Sequence, residues 1–408
     1  MRFDPVAISA HTATTAVGRG QGALLDALRT RRGGLKRYQA RRDFASDTDG
    51  PALDTWIGEV EGLHSITLPQ QWSRYNCRNN RLAWLGLHQD EFVVKARTAV
   101  ARYGAARVAV IIGTSTSGIA HAEGAYRARD SEGRLPESFI YSTTLNNFSA
   151  PALVAHAIGA TGPTFAISTA CSSSAKVFAA AARLMQADWI DAAIVGGVDS
   201  LCLTTLCGFS ALELLSPHPC RPFDRARSGI SIGEGAGFAL LEARPQAPAY
   251  LLGAGESSDA HHMSTPHPEG LGARLAMSGA LESAGLTPDA VGYVNLHGTA
   301  TRSNDPAEGR AVAGVFGNTP SSSTKGWFGH LLGAAGIVES IVALLALEHR
   351  MLPGTLNTTD LDPDCPNTVL LDNETRDIDV VLSNSFGFGG SNCSVVFGRE
   401  KRTPRTLS

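Results

Sequence analysis

The chain carries no excess charge of either sign: 35 Lys and Arg stand against 38 Asp and Glu, a formal net charge of -3. No field recruits nucleic acid, and no long basic run suits an anionic membrane surface. Cys-x-x-Cys pairs are missing too. The seven cysteines (Cys77, Cys171, Cys202, Cys207, Cys220, Cys365 and Cys393) form an odd, scattered set, which argues against both a disulfide framework and a zinc site. Long apolar runs are also scarce. IVALLAL, which opens at Ile341, falls far short of the roughly 18–20 residues of a membrane span. The N-terminal stretch MRFDPVAISAHTATTAVGRG has no signal-peptide core. A cytoplasmic protein is expected. Aromatic residues are few, 7%, while glycines number 43, a balance that suits tight turns and close packing of backbone layers.

What is present is the composition of a globular protein, 43% apolar and 18% charged, with enough length for one large layered domain or two ordinary ones. Short β-rich runs alternate with longer Ala-rich stretches of helical period, the pattern of an α/β protein. Strands are expected at 108–112, 192–198, 238–241 and 292–296, and helices at 174–187 and 331–348. Residues 31–62 are polar and Gly-rich and read as surface loops. The segment 242–248, with Pro245 and Pro248, is the seam between two halves, 1–245 and 246–408. No internal repeat is visible by period.

Three segments carry chemistry. FAISTACSSSAK, residues 165–176, reads as strand, sharp turn and helix, with Cys171 in the first helical turn. Unpaired N–H groups and the positive helix end favour a thiolate there. The N–H of Cys171 would face the oxygen of an attacked thioester. A buried structural cysteine is the competing reading; the other six cysteines lack this setting. His297 lies in NLHGTATRSNDPAE, just after an expected strand, and His330 in STKGWFGHLLGAAG, at the start of a long helix. Two neutral imidazoles aimed at one oxygen stabilise an enolate, each donor contributing about 3–4 kcal/mol. A structural role remains the alternative for each histidine.

Other segments invite weaker readings. His261, His262 and His267 lie in a Ser/Pro loop with only Asp259 as a further ligand, so zinc is not expected. DPAE, residues 305–308, reads as a capping box with Asp305 as N-cap and Pro306 at the first helical position. Glu308 is also a partner for Lys325, a pair that would fix the His330 loop. SNSFGFGGSN, residues 383–392, lacks the Lys-Ser/Thr of a phosphate loop and suits a tight turn offering an N–H to the nucleophile.

Together the motifs STACSSSA, LHGTATRSND, STKGWFGHLLGAAG and SNSFGFGGSN resemble the elongating β-ketoacyl-acyl-carrier-protein synthases. RPFDRARSGISIGEGAG and SSDAHHMSTPHPEG add to the likeness, which runs from about Gly113 to Phe397. The resemblance implies a thiolase-like αβαβα fold of two similar halves, with mixed sheets covered by helices. It implies Cys171 as nucleophile, His297 and His330 as the decarboxylating pair, and Lys325 with Glu308 as a supporting ion pair. Phe388 would be the gating phenylalanine and, with Cys171, form the oxyanion hole. Thr299 and Thr301 would hold the pantetheine arm, and Thr116 and Phe209 line the acyl pocket. Asn295, Glu339, Ser383 and Asn384 match a monovalent-cation site of some members. No cofactor is implied. The partner would be acyl-carrier protein, and the assembly a homodimer or a heterodimer with a related subunit. Arg74, Arg78 and Arg81 are candidates for meeting an acidic carrier, or a solvated helix face.

Two departures stand out. The opening PVAISAHTATTAVGRG lacks the family's valine-rich strand, and Trp327 and Phe328 put rings where small residues are common. These point to an unusual acyl chain, polyene or aryl. Two other functions remain in view: a biosynthetic thiolase, which needs a second catalytic cysteine and has only Cys393 to offer, and a non-catalytic chain-length-factor-like subunit, which would lack the nucleophile.

Overall fold

The computed structural model describes residues 4–39, 53–243 and 246–399. Ten of its strands fall into two sets. The first holds β1 (Val6–Thr15), β2 (Val108–Gly113), β3 (Thr164–Ile167), β4 (Ala192–Asp199) and β5 (Gly235–Glu242). The second holds β6 (Ala249–Ser258), β7 (Tyr293–Asn295), β8 (Ser321–Ser322), β9 (Val380–Gly387) and β10 (Ser391–Gly398). The first set is ordered β3-β2-β4-β5-β1 and the second β8-β7-β9-β10-β6. Counted within each set, both orders are third, second, fourth, fifth, first. Directions agree as well: the first two pairings along each order are parallel and the last two antiparallel, so that the fourth strand alone runs against the rest. The halves are therefore copies in topology, a repeat that sequence period does not reveal. Pairing of β1 with β6, from Val6↔Leu251 to Ile8↔Ala249, joins them into one continuous sheet.

Helices fill the layers. On the outside of the first sheet lie α1 (Arg78–Leu87), α2 (Phe92–Tyr103) and α3 (Ser149–Ile158), sharing one core with the buried faces of β2 and β4. Between the sheets lie α4 (Ser173–Gln186) and, later in the chain, α8 (Ala335–His349). Flanking the first half near its C-terminal strand ends is α5 (Leu203–Ala211). The second sheet is covered outside by α6 (Leu271–Ala284) and α7 (Asn304–Phe316). This is the five-layer αβαβα arrangement expected.

Each element has its reason in the sequence. VAVIIG of β2 and AAIVGGVD of β4 are buried throughout, which is why they read as continuous apolar runs and not as alternation. Helix α8 is buried from Ala335 to Leu347 because it has a sheet on either side. The span Leu332–His349 is long and apolar enough to cross a membrane by length and composition, yet 89% of it is buried in the protein. Two glycines let the central helices in. A Cβ on Gly197 would meet Ser174 at 2.5 Å, and one on Gly336 the Ala175 nitrogen at 2.5 Å.

Three expectations are corrected. The valine-poor opening still forms the ten-residue strand β1, buried by small residues such as Ala7, Ala10, Thr12 and Ala13 that fit between neighbours on both faces. Residues 31–62 are not all loop. Leu35–Arg37 pairs with Trp56–Gly58, which pairs with Ile232–Gly233; the expected loop at 40–52 lies outside the described residues. Trp327 and Phe328 are fully buried in the central core, and the Trp327 indole donates to the Ala27 carbonyl at 3.1 Å. They do not line the acyl cavity, so they carry no argument about the acyl chain. Trp327→Ala is expected to lower the unfolding free energy in urea by about 3–5 kcal/mol; a loss near zero would put the ring outside the core.

Candidate active site

In both halves the chemistry gathers where parallel strands end, the usual place for a site in an open α/β sheet. Cys171 follows β3, His297 follows β7, His330 follows β8 and Phe388 follows β9. The repeat gives this a symmetry: Cys171 precedes α4 and His330 precedes α8, the equivalent helix of the other half. Those helices pack against each other between the sheets. The nucleophile and one histidine thus meet across a pseudo-twofold axis.

Cys171 sits on a tight turn. Ala170 takes a left-handed φ of 52°, a strained choice for a residue with a Cβ. The turn is held by Thr169 N–H donating to Ser173 Oγ at 2.9 Å and by Ser172 Oγ donating to the Thr169 carbonyl at 2.9 Å. The sulfur lies 3.0 Å from His330 Nε2. Ligating atoms of Cys171, His297 and His330 all lie within 4.8 Å of one another. The convergence on which every motif depended is present.

The imidazoles are set as donors. Leu332 N–H donates to His330 Nδ1 at 3.3 Å, which leaves the proton on Nε2. Lys325 Nζ lies 3.4 Å from His297 Nδ1 and also bonds the His297 carbonyl. An ammonium has only protons to offer, so His297 too carries its proton on Nε2. Burial holds both rings well below the ordinary histidine range, Lys325 adds to this for each, and His330 adds to it for His297. At neutral pH both are uncharged N–H donors facing one sulfur.

Two expectations about the supporting carboxylates are corrected. Lys325 pairs with Glu339 of α8, not with Glu308. Glu308 instead accepts the N–H groups of His297 at 2.8 Å and Gly298 at 2.7 Å, holding the turn behind the ring. Burial pushes Glu339 up to about 7 against the pull of Lys325, and Glu308 up to about 7 against those two N–H groups. The capping box is not formed either. Helix α7 starts at Asn304, two residues early, with Ser303 as N-cap and no side-chain cap bond. Asp305 turns inward to accept the N–H groups of Phe223 at 2.7 Å and Ala300 at 3.1 Å.

The thiol differs from expectation as well. Burial pushes Cys171 up to about 11, opposed by Lys325 and by the Phe388 N–H. The start of α4 does not outweigh desolvation in a pocket where the cysteine is 6% exposed. Phe388 occupies the place expected of it: its N–H reaches the sulfur, and its ring meets Phe209 at 5.6 Å. Gly387 is required beside it, because a Cβ there would crowd the Thr169 carbonyl at 2.8 Å.

Two cavities meet at Cys171, Phe209 and Phe388. One, of about 580 Å³, is lined by His297, His330, Thr299 and Thr301, whose hydroxyls lie 2.9 Å apart. The other, of about 690 Å³, is lined by Thr116, Thr205, Leu212 and Leu332. The expected pantetheine and acyl residues thus lie on opposite sides of the phenylalanine pair. Sequence reading missed Asp199. This buried carboxylate accepts from Thr114 Oγ1 at 2.7 Å, Thr116 N at 2.9 Å and Gly333 N at 2.6 Å. It ties the acyl-cavity loop to the segment bearing His330. The signal was a lone acid closing the apolar run AAIVGGVD.

The remaining candidates sort clearly. Asn295 Oδ1, Glu339 Oε2 and Ser383 Oγ are buried without a hydrogen-bond partner, a donor set that fits a monovalent cation. Asn384 fits less well, since its carbonyl accepts from Ser394 and its amide donates to Glu308. His262 and His267 each accept a nearby backbone N–H. Among the described residues the one cluster with metal-ligand geometry is the Cys171 site itself. Arg78 is committed to Glu234 and Glu59, not to a carrier. Cys393 is fully buried in β10 and burial pushes its thiol far up, which removes the thiolase reading.

A thiol and a neutral imidazole at the paired helix starts of a duplicated αβαβα fold, with a second neutral imidazole beside them, define a condensing enzyme. The family model for the β-ketoacyl synthase N-terminal domain matches residues 3–247, and that for the C-terminal domain residues 248–359. The chain belongs to the β-ketoacyl synthase family. It is 36% identical to 3-oxoacyl-[acyl-carrier-protein] synthase 2 of Coxiella burnetii, over 72% of this chain and 76% of that one. The Vibrio harveyi protein of that name is 37% identical over 72% and 75%. Among solved structures, the ketosynthase ApeO in complex with its chain length factor ApeC, from Xenorhabdus doucetiae, superposes with a TM-score of 0.85 at 36% identity. The match covers 97% of this chain and 98% of that one. A β-ketoacyl synthase from Burkholderia phymatum gives 0.83 at 27% identity, over 97% and 99%.

Three expectations follow from the electrostatics. Unfolded histidines bind protons near pH 6.5 that native His297 and His330 refuse, so stability is expected to fall as pH drops through about 6.5. Lys325→Met should move the His297 titration upward in a histidine NMR series, and cost about 3–5 kcal/mol by leaving Glu339 unpaired. Alkylation of Cys171 by iodoacetamide should keep accelerating past pH 9, toward its raised value of about 11. A plateau below pH 8 would show that the helix start dominates after all.

Proposed function

We propose that this enzyme joins an acyl group held on Cys171 to a malonyl unit with loss of carbon dioxide, both groups delivered on acyl-carrier protein. The observation that carries this reading is the pair of neutral Nε2–H donors converging on one buried sulfur. In the first stage the Cys171 sulfur attacks the carrier thioester. A carbon–sulfur bond forms at Cys171, the carrier thiol leaves, and it takes up the proton that Cys171 gave. In the second, malonyl thioester enters past Thr299 and Thr301 and its carboxylate leaves as carbon dioxide. The electron pair moves into an enolate whose oxygen accepts from His297 and His330. The enolate carbon then attacks the acyl carbon, whose developing oxyanion accepts from the Phe388 N–H. The carbon–sulfur bond breaks with its electron pair on the Cys171 sulfur, which regains a proton from water, and the β-ketoacyl thioester leaves on the carrier.

The acyl chain occupies the cavity bordered by Thr116 and Phe209, behind the Phe209–Phe388 gate. A subunit that only shapes a partner's pocket has no need of this constellation, and its completeness supports catalysis. A dimer is proposed, and the complex of ApeO with its chain length factor makes a paired sibling subunit as reasonable as a second copy. The test is mass spectrometry after incubation with acyl-carrier protein. An acyl adduct on Cys171 is expected, and an active preparation without it overturns the mechanism. His297→Ala and His330→Ala should each still acquire the acyl group while losing about 10²–10³-fold in carbon dioxide release.

A further inference from the structure

On the first half, a cleft of about 810 Å³ shares no lining residue with either cavity at Cys171. Three segments wall it: α1 with Arg78 and Arg81, the helix Ile119–Arg127 with His121, and the following turn with Ser138 and Phe139. Arg78 is paired with Glu59 and Glu234. Among the described residues no carboxylate pairs with Arg81. Its Nη1 reaches only the His64 carbonyl, at 3.4 Å, and its Nε is buried without an acceptor. His121 Nε2 is buried without a partner as well. The ring of His121 is held by stacking on Phe139, centroids 5.7 Å apart and planes 24° from parallel.

Two buried nitrogens lining one cleft without hydrogen-bond partners are costly to leave so, and the cost is greater where one belongs to a guanidinium. Burial and the Arg81 charge both disfavour a positive His121, so the cleft holds a neutral imidazole beside a guanidinium that pairs with no carboxylate among the described residues. Arg78 lines the same cleft, but its charge is offset by Glu59 and Glu234. The chemistry asks for an acceptor with negative charge and at least two oxygens.

We propose that the Arg81–His121 cleft is a binding site for a small oxyanion, a carboxylate or a phosphate. Each nitrogen gives it one charge-assisted hydrogen bond, and Ala120, Ala125 and Phe139 supply an apolar wall beside it. The site stands apart from the condensation chemistry and does not depend on it. The test is calorimetric titration of the full chain with sodium phosphate and, separately, sodium acetate, ionic strength held constant with sodium chloride. Saturable binding of at least one is expected, and which one identifies the oxyanion class. Arg81→Gln and His121→Asn should each weaken it at least about tenfold. Arg81→Lys, which keeps the charge and loses Nε, should also weaken it and serves if a neutral variant misfolds. Folding is checked by circular dichroism and by retained acylation of Cys171. Unchanged affinity in the folded variants, or no saturable binding of either anion to the parent chain, overturns the proposal.

Discussion

One buried ammonium organises the catalytic centre. Lys325 is 1% exposed and reaches Glu339 on α8 and both the ring and the carbonyl of His297. A charge so far from water is tolerated only when fully partnered. Satisfying it therefore fixes the short turn Lys325–Phe328, the loop after β7 and the central helix α8 relative to one another. The same charge adds to the burial that keeps both imidazoles uncharged, the state in which each has one proton to offer from Nε2. Glu308 works from the other side, holding the main chain of His297 and Gly298 with its two oxygens. Positive and negative supports grip one turn without pairing with each other.

Dryness cuts two ways here. The desolvation that disfavours imidazolium also disfavours thiolate, so the pocket that readies its histidines leaves its nucleophile protonated at rest. The compensating donors, His330 Nε2–H and the Phe388 N–H, gain most once negative charge appears on sulfur or oxygen. They favour the reacting state over the resting one, which is what catalysis requires.

Legibility in the sequence followed a physical divide. Buried strands such as VAVIIG and the all-apolar α8 announce themselves, because burial on every face leaves one kind of residue. Cys171, His297 and His330 were readable because each sits in a Gly- or Ser-rich turn segment at a strand end. Pairings across the fold were not readable. Lys325 had two buried acids to choose from, Glu308 and Glu339, and only the position of α8 decides between them. Asp305 looked like a helix cap by spacing, yet the N–H groups of Phe223 and Ala300 claim it from afar. Trp327 and Phe328 looked like pocket residues because they adjoin His330, whereas the chain turns them into the core. Asp199, with no motif around it, shows its purpose only when the Thr114–Thr116 loop and Gly333 are brought to it.

The matching order of strands in the two halves has a consequence for origins. Either half alone would present a strand end and a helix start, but one would own sulfur without bases and the other bases without sulfur. Reactivity therefore belongs to the fusion and to neither ancestor-like unit, and the two copies are free to diverge only so far as their central helices still abut. Drift on the outer layers is cheap; drift along that shared seam would silence the molecule.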